Sequence, residues 1–236
     1  NSKGQATGAI KGVISMIRKL QAEFYESQLI VIFDAKGKTF RNDIYTDYKA
    51  NRPPMPEELR SQIEPIHRIV ECLGIPLLCV EGVEADDVIG TLARQLDDAG
   101  KRTLISTGDK DMAQLVNDQI VLINTMNGQY MDVDGVKEKF GVNPDQIIDY
   151  LALMGDTSDN IPGVPKCGPK TAVKWLTEFD SLTGVMANAD QVKGKVGENL
   201  RASLEFLPMS YDLATIRQHL ELPKKIDELE QADRDL

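Results

Sequence analysis

Acidic residues follow three segments whose apolar, β-branched composition is typical of buried strands, at 29–34, 76–80 and 102–107. Two more acidic residues close a helical pattern at 145–154. The carboxyl ends of parallel strands lie at one edge of a sheet, where ligand sites form, so we expect these carboxylates to share a cleft. The eight candidates are Asp34, Glu84, Asp86, Asp87, Asp109, Asp111, Asp156 and Asp159.

Carboxylates that share a cleft repel one another unless they take up protons or bind cations. An all-oxygen ligand set suits Mg²⁺ or Mn²⁺ and disfavours zinc. The two histidines, His67 and His219, are far apart in the sequence, and the three cysteines form no CxxC pair. The pattern therefore predicts two Mg²⁺ or Mn²⁺ ions, which activate a water and stabilise the leaving oxygen in phosphodiester hydrolysis.

Each acidic group also has a local structural explanation. The residues from Glu84 to Asp87 can cap a helix, and Asp109 can cap the turn after Thr107 and Gly108. Asp156 and Asp159 can act as turn formers before Pro162. Asp34 is harder to explain this way, since it ends a strand and precedes no obvious helix. A shared metal site accounts for all four groups at one edge, whereas capping must be invoked separately for each.

Residues 35–56, which we call the arch segment, are basic, interleaved with aromatic residues and end in prolines. Long excursions of this kind are often functional. Its cations can hold phosphates and its aromatic rings can stack on bases; a solvated basic loop is the alternative. The cations are Lys36, Lys38, Arg41, Lys49 and Arg52, and the aromatic residues are Phe40, Tyr45 and Tyr48.

A second phosphate-binding signature lies in GVPKCGPKTA at 163–172. Gly163 and Gly168 allow backbone amides to approach an anion, and a helix starting near Lys170 directs its N-terminus at the same place. The pattern resembles a helix–hairpin–helix, which grips the DNA backbone without reading sequence. The alternative is an ordinary turn between two helices.

The formal charge of −10 does not decide the partner. Taken alone it argues against nucleic acid. However, the first 60 residues hold ten Lys and Arg against seven Asp and Glu, so the acidic excess lies in the remainder. No apolar run approaches the 18 residues of a membrane span. The start NSKGQATG lacks a secretory apolar stretch, and the odd cysteine count favours a reducing compartment, so we expect a cytoplasmic protein.

The positions of these groups require a particular framework. Strands at 29–34, 76–80, 102–107 and 120–125 alternate with helices at 57–73 and 84–99, as the apolar spacing indicates. That alternation predicts an α/β class with a mostly parallel central sheet flanked by helices. From about residue 143 the pattern is helical. We therefore predict two domains, an α/β core at 1–142 and a helical subdomain at 143–236.

Taken together, these segments resemble the 5′-nuclease superfamily, and in particular the N-terminal 5′-nuclease domain of bacterial DNA polymerase I. The likeness runs through nearly the whole chain. The segments that carry it are FDAKGKTFR (33–41), YKANRPPMP (48–56), GVEADDVIGTLA (82–93), STGDKDMAQLV (106–116), LALMGDTSDNIPGVPKCGPKTA (151–172) and SYDLATI (210–216).

The resemblance implies a PIN-like core, a helical arch over the active site, and a helix–hairpin–helix at 155–180 that holds duplex DNA. It implies a Mg²⁺-dependent 5′-3′ exonuclease and flap endonuclease acting on a 5′ flap, a nick or an RNA primer. By position, Asp34, Glu84, Asp86 and Asp87 resemble the first metal group, and the other four carboxylates resemble the second. Those four are Asp109, Asp111, Asp156 and Asp159.

The same resemblance assigns the remaining site residues. Tyr48, Lys49 and Arg52 resemble a clamp that orients the scissile phosphate. Lys38 and Arg41 are expected to contact DNA with the hairpin, whose carbonyls are a candidate site for a monovalent cation such as K⁺. The hairpin residues are Gly163, Gly168, Lys170 and Thr171.

One departure from the family bears on activity. The family begins with a central strand ending in a further metal-binding aspartate, before a stretch like GQATGAI at 4–10, and that strand is missing here. We therefore expect compromised folding and reduced activity, with a catalytically impaired module that binds duplex DNA as the alternative function. An α/β domain for phosphoryl transfer or signalling is a further alternative. We also expect a monomer without a polymerase domain.

Overall fold

The computed structural model describes residues 6–232. The helices are α1 (Gly8–Glu23), α2 (Phe40–Ile44), α3 (Glu57–Cys72), α4 (Ala85–Asp98), α5 (Val133–Phe140), α6 (Ile147–Met154), α7 (Pro169–Phe179), α8 (Leu182–Ala187), α9 (Gly194–Ser203) and α10 (Leu207–Ala214). The strands are β1 (Val31–Asp34), β2 (Leu77–Val80), β3 (Thr103–Ser106), β4 (Ile120–Asn124) and β5 (Gln129–Met131). Short 3₁₀ turns lie at Asp111–Leu115, Pro144–Gln146, Ala189–Gln191 and Ile226–Glu228.

The α/β class is confirmed, with the parallel strands divided between two small sheets. β1 pairs with β2 in parallel, and β3 pairs with β4 in parallel. β5 is antiparallel to β4 and was not predicted from the sequence. Within residues 6–232, β1 and β3 are not paired with each other. The strand that the resemblance implies before 4–10 stays a prediction.

Helix α4 is fixed by its sequence at both ends and along one face. A capping box closes its start, where Glu84 and Asp87 bond each other's backbone amides. Val88 and Leu92, four residues apart, are buried on one side. The chain then leaves the helix through Gly100 at φ +68°, a conformation that favours glycine. α4 therefore presents a defined N-terminus to the carboxyl ends of the strands.

Helix α1 obtains its N-terminal cap from a distant residue. The Oε1 atom of Gln62, a buried residue on α3, accepts hydrogen bonds from the backbone amides of Ala9 at 2.9 Å and Ile10 at 3.2 Å. Those amides lie in the first turn, where they have no partner within the helix. Gln62 thus anchors α1 to α3, and both helices pack against residues of β1 and β2.

The main hydrophobic core crosses the boundary predicted near residue 142. Ile105 of β3 and Met112 belong to the same buried cluster as Leu153 and Trp175 of the helical part. The helical subdomain therefore packs directly on the β3–β4 sheet. The predicted domain limits stay a prediction, and their ends at 1–5 and 233–236 lie outside the described residues.

The arch segment is less helical than predicted. Its helix, α2, spans five residues, and the chain then forms turns up to residue 52. The segment is also not wholly a surface excursion, because Arg41 and Tyr48 are buried while residues 51–56 are exposed. In the part of the chain from 6 to 232, no helix is both long and apolar enough to cross a membrane.

Candidate active site

The first acidic group gathers around the N-terminus of α4. Asp34, at the end of β1, accepts a 2.8 Å hydrogen bond through Oδ1 from the amide of Ala85. Glu84 is the N-cap residue, and Asp86 lies in the first turn. The dipole of α4 and its free amides favour negative charge at this end. The structure thus places Asp34, Glu84 and Asp86 at the same end of α4, and their role as metal ligands stays a prediction.

Asp87 and Arg41 have a different role from the one predicted for them. The side chain of Asp87 is fully buried and accepts hydrogen bonds from Arg41 at 2.7 and 2.8 Å. The side chain of Arg41 is 3% exposed. Its guanidinium therefore cannot reach DNA, and the prediction that Arg41 binds phosphate is wrong. The prediction that Asp87 offers free oxygens to a metal is corrected for the same reason.

The second acidic group lies between β3 and the loop after α6. Asp109 is exposed, and its Oδ1 accepts a hydrogen bond from the amide of Asp111 at 2.9 Å. Burial first, and then the charge of Asp109, raise the pKa of Asp111 to about 7. Its Oδ1 atom is buried and has no hydrogen-bond partner among residues 6–232. An unpartnered carboxylate oxygen of this kind suits a cation.

Asp156 and Asp159 complete the second group from the loop after α6. Lys110 forms an ion pair of 2.6 Å with Asp156, which also accepts hydrogen bonds from Ser158. Burial acts to raise the pKa of Asp156, but the hydrogen bonds from Lys110 and Ser158 outweigh it and lower the pKa to about 2. Asp156 is therefore both the turn former of the alternative interpretation and a member of the acidic group.

Asp86 connects the two groups electrostatically. Its pKa is raised to about 7, mainly by burial and then by the charges of Asp109, Glu84 and Asp34, in that order. A carboxylate responds in this way when like charges lie close by in a poorly solvated space. We call the space that these residues line the acidic cleft. Within residues 6–232, however, no three acidic, His or Cys side chains converge as a closed ligand set.

Three cations neutralise part of the acidic cleft. Besides Lys110, they are Lys49, whose Nζ lies 2.7 Å from Glu84 and 3.6 Å from Asp159, and Arg52, which pairs with Asp159. The amide of Lys49 also donates to the carbonyl of Asp159 at 2.9 Å. Lys49 itself adopts a φ of +55°, which is uncommon for a residue with a side chain.

Tyr48 is held between the two acidic groups. It is 5% exposed, and its hydroxyl lies 3.2 Å from Glu84 and 3.3 Å from Asp159. Burial and these two carboxylates raise the pKa of Tyr48, so the hydroxyl keeps its proton and donates it. Its ring packs on Ile161 and Leu213. The prediction that Tyr48 stacks on a base is therefore wrong, whereas its place beside Lys49 in the cleft agrees with a clamp.

The hairpin contains two glycines with different environments. A Cβ on Gly163 would lie 2.2 Å from the carbonyl carbon of Met154 and 2.3 Å from the amide of Gly155, so Gly163 allows two backbone stretches to cross. At Gly168 a Cβ would meet no described atom within 4 Å. Gly168 is the N-cap of α7, next to the exposed Lys170. Phosphate contact is therefore a physical option at Gly168. At Gly163 the close packing of the backbone already explains the glycine, and its contact with DNA stays a prediction.

Thr171 and Lys38 differ in what they can offer to DNA. The amide of Thr171 already donates to the carbonyl of Gly168 at 2.9 Å, which leaves its hydroxyl as the group for a phosphate. Lys38 is exposed near the start of the arch segment. Both stay predicted DNA contacts.

Sequence reasoning missed several residues that organise the site. Lys110 is one, although a cation between two aspartates in the sequence is a recognisable signal. Asn51 and Asn160 are others, donating to the carbonyls of Thr157 at 2.6 Å and Asp47 at 2.7 Å respectively. Isolated asparagines in loops give no comparable signal.

The residues present fit hard divalent cations. The donors are all carboxylates, one buried oxygen is unpartnered, and the pKa values of Asp86 and Asp111 are raised by burial and, second, by neighbouring negative charge. Oxygen donors of this type are those of Mg²⁺ and Mn²⁺ sites. Among the eight predicted metal ligands Asp87 is the exception, because its oxygens are buried and already bonded to Arg41.

The fold is that of the flap endonucleases. A crystal structure of bacteriophage T5 flap endonuclease, in a pseudo-enzyme-product complex with DNA and metal ions, superposes with a TM-score of 0.73. The sequence identity is 26%, and the match covers 86% of this chain and 79% of the T5 chain.

Sequence comparison identifies the family. Residues 1–141 match the N-terminal resolvase-like domain of 5′-3′ exonucleases, and residues 142–236 match their C-terminal SAM fold. The chain belongs to the 5′-3′ exonuclease family, which confirms the resemblance stated from the sequence.

Two curated relatives illustrate how members of the family are built. DNA polymerase I of Pseudomonas aeruginosa is 54% identical over 97% of this chain, which spans only 26% of that protein's length. A 5′-3′ exonuclease of Buchnera aphidicola is 45% identical over 92% of this chain and is covered over 74% of its length. The domain thus occurs both as part of a polymerase and in a much shorter protein.

Proposed function

We propose that the chain is a divalent-metal-dependent 5′-nuclease that hydrolyses phosphodiester bonds in DNA bearing a 5′ flap, a nick or an RNA primer. The observation that carries the proposal is the electrostatic state of Asp86. Burial first, and then three other carboxylates from three separate segments of the chain, raise its pKa to about 7. A stable protein gains nothing from such repulsion, whereas a cation site requires it.

The proposed ligand set consists of seven of the eight predicted carboxylates. Asp34, Glu84 and Asp86 would hold one ion, and Asp109, Asp111, Asp156 and Asp159 a second. The preferred ions are two Mg²⁺ or Mn²⁺, and they would supply a water of lowered pKa and charge stabilisation for the leaving oxygen. The geometry supports this division because Asp34 and Glu84 meet at the start of α4, and Asp156 comes from the other side of the cleft.

Lys49 and Arg52 are proposed to hold the phosphate beside the reacting bond. Both cations lie at the rim of the cleft and contact Glu84 or Asp159, so they are placed where a phosphate would enter. An arginine binds phosphate in a bidentate manner, and a lysine binds it as a point charge. Tyr48 is proposed to position Glu84 and Asp159 through its hydroxyl rather than to touch the substrate.

The helical part is proposed to grip the duplex. Gly168, Lys170 and Thr171 offer an accessible helix start and a cation to the DNA backbone, with Lys38 on the arch segment as a separate contact. A K⁺ ion at the carbonyls of the hairpin, a monomeric state and a cytoplasmic location are further parts of the proposal, carried by the sequence alone.

Cleavage of a 5′-flapped duplex tests the proposed function. We expect product near the junction with Mg²⁺ or Mn²⁺, and none after EDTA is added. Asp86→Asn should reduce the rate strongly, while a flap-free single strand serves as the substrate control. No cleavage of any flapped, nicked or primer-bearing duplex by a chain that binds Mn²⁺ would refute a nuclease role.

A second candidate is a duplex-binding module of low catalytic power. It is favoured by the absence of a closed three-residue ligand set among residues 6–232. It predicts duplex binding that survives Asp86→Asn and Asp109→Asn but is weakened by Lys170→Ala. The nuclease proposal shares the Lys170 effect, so flap cleavage decides between the two.

A further inference from the structure

The guanidinium of Arg41 is held by four hydrogen bonds in the interior. Nη1 and Nη2 donate to the two oxygens of Asp87, at 2.7 and 2.8 Å. Nε donates to the carbonyl of Leu213 at 2.9 Å, and Nη2 also donates to that of Thr215 at 2.7 Å. A buried guanidinium is tolerated only when its donors are satisfied in this way.

The carboxylate of Asp87 is equally saturated. In addition to Arg41, its Oδ1 accepts from the amide of Arg217 at 2.9 Å, and its Oδ2 accepts from the amide of Glu84 at 3.0 Å. Each oxygen therefore accepts two hydrogen bonds, and the side chain is fully buried. Coordination of a metal by Asp87 would require breaking at least one of them.

The pair joins three distant segments. Arg41 belongs to α2 in the arch segment, Asp87 belongs to the first turn of α4, and the carbonyls and amide that they bind belong to residues 213–217. We call residues 213–217 the return segment. Because Lys49 follows α2 closely in the chain, the pair also determines where this cation lies relative to Glu84.

The return segment is also held by the 3₁₀ turn Asp111–Leu115, which carries part of the second acidic group. Gln114 lies in the 3₁₀ turn that Asp111 begins, and its amide group donates to the carbonyl of Ala214 and accepts from the amide of Ile216, both at 2.9 Å. Ile216 also packs against α4 so closely that a Cβ on Gly90 would lie 2.6 Å from it. The return segment thus spans both acidic groups.

We propose that Arg41 and Asp87 are a positioning pair, and that Asp87 is not a metal ligand. The pair sets the spacing between the cations of the arch segment and the carboxylates of the acidic cleft. A buried ion pair contributes little net stability compared with apolar residues of similar size, so its value lies in fixed geometry. The planar fork of arginine matches the carboxylate, and lysine cannot reproduce both bonds. The inference rests on the proposed nuclease function for its effect on rate.

The test compares Asp87→Asn, Arg41→Lys and the double variant with Asp86→Asn, which replaces a proposed ligand. Mn²⁺ binding to the whole chain is measured by titration. We expect Asp87→Asn and Arg41→Lys to leave the Mn²⁺ dissociation constant within about twofold, because the acceptor positions of Asp87 are already occupied by hydrogen bonds from within the protein. Asp86→Asn should weaken Mn²⁺ binding by at least about tenfold.

Cleavage of a flapped duplex under single-turnover conditions supplies the second readout. We expect both single positioning variants to lose about 100-fold in rate, the size of effect that a misplacement of about 1 Å can cause. The double variant should lose no more than about threefold beyond the worse single variant, because the two residues act as one unit. Substrate affinity should change much less than the rate.

Limited trypsin digestion gives a readout that does not need catalysis. Without metal, the positioning variants should be cut after Lys49 about tenfold faster than the parent chain, since local opening of the arch segment becomes easier. Cutting after Lys139, in α5 far along the chain, serves as the internal control. Equal acceleration at every site would indicate global destabilisation and would overturn the positioning role.

Three further outcomes decide the proposal. If Asp87→Asn loses as much Mn²⁺ affinity as Asp86→Asn does, Asp87 is a metal ligand and the proposal is overturned. An unchanged cleavage rate in Arg41→Lys would overturn it as well. If Asp87→Asn does not fold, Arg41→Lys decides with the same three measurements, because it keeps both charges. If the parent chain does not cleave DNA, the proposed nuclease function fails. Mn²⁺ titration and trypsin digestion then still decide whether Arg41 and Asp87 are a positioning pair, so the two failures can be told apart.

Discussion

Replacing Gly163 with alanine is expected to lower the free energy of unfolding by about 3 kcal/mol, at the upper end of overpacking effects. The added Cβ would lie 2.2 to 2.4 Å from three backbone atoms of Met154 and Gly155. Backbone atoms cannot turn away as a flexible side chain can, so the crossing of the two chain stretches must open. The measurement is urea unfolding, with the midpoint and slope compared between the parent chain and the variant.

Gly168→Ala is the matched control for this prediction. Gly168 lies in the same hairpin, has a φ of −100° that alanine adopts, and a Cβ there would meet no described atom within 4 Å. We expect a loss of stability within about 1 kcal/mol, because alanine is a poorer N-cap than glycine. Equal destabilisation of the two variants would show that backbone crossing is not the reason for glycine at Gly163.

The same pair of variants separates packing from DNA contact. Gly168→Ala keeps the fold, so a reduced affinity for duplex DNA would indicate that the backbone approaches a phosphate at this position. For Gly163→Ala, any reduction in duplex-DNA binding should be proportional to the fraction of unfolded protein. Binding should recover when an osmolyte restores folding. The hairpin motif thus contains one glycine needed for folding and one available to a ligand.

Much of the fold could be predicted because its signals are local. The four β-branched runs, and the caps of α4 at Glu84 and Gly100, give elements whose bounds differ from prediction by one or two residues. β5 was missed, although Asn127 and Gly128 after an apolar run are a recognised hairpin signal. Three residues are too few for alternation to be recognised.

The roles of Arg41 and Asp87 could not be predicted, since they depend on contacts between residues far apart in the chain. A basic residue among aromatic residues is typical of phosphate binding, and nothing local shows that Arg41 points inward to a carbonyl at residue 213. For Asp87 a local signal did exist. Its spacing of three from Glu84 is that of a capping box, and the structure shows that this interpretation holds together with the acidic cleft.

Capping and metal binding are therefore not exclusive at this site. Glu84 caps α4, Asp109 caps a turn and Asp156 forms a turn. These are the capping and turn-forming roles that the sequence offered as alternatives to metal binding. Each hydrogen bond uses one oxygen position and fixes the side chain, while a carboxylate has about four acceptor sites. Caps of this kind restrict the conformations of potential ligands in advance. Asp86 is different, since no cap or ion pair within residues 6–232 accounts for its position.

Asp86→Asn is expected to change stability and cleavage in opposite directions. In the metal-free chain, burial and, second, repulsion by neighbouring carboxylates raise the pKa of Asp86 to about 7. Its pKa in the unfolded chain is about 3.9, so the folded chain binds the proton more tightly. Between about pH 4 and pH 7 the free energy of unfolding therefore falls as pH rises, and above about pH 7 the loss is complete. The amide removes this charge and should stabilise the metal-free chain at pH 8 by about 1–2 kcal/mol, after allowance for solvent screening.

Urea unfolding in EDTA at pH 5, 6, 7 and 8 measures the effect on stability. In Asp86→Asn the free energy of unfolding should fall less steeply as pH rises. Some pH dependence should remain, because Asp111, whose pKa is also raised to about 7, titrates in the same range. Asp118→Asn is the control, an exposed aspartate in the turn before β4, and it should leave the profile unchanged. Destabilisation of Asp86→Asn at pH 8 would mean that Asp86 is a structural partner in the folded chain.

Cleavage and metal linkage complete the test of Asp86. With Mg²⁺ or Mn²⁺ present, Asp86→Asn should cut a flapped duplex about 100- to 1000-fold more slowly, the loss typical of one preorganised group that stabilises charge. Added Mn²⁺ should raise the stability of the parent chain more than that of the variant, since only binding to the folded state contributes. A residue that is unfavourable without metal and required with it is selected for cation binding and not for folding. Equal stabilisation of both chains by Mn²⁺ would show that the ion binds elsewhere.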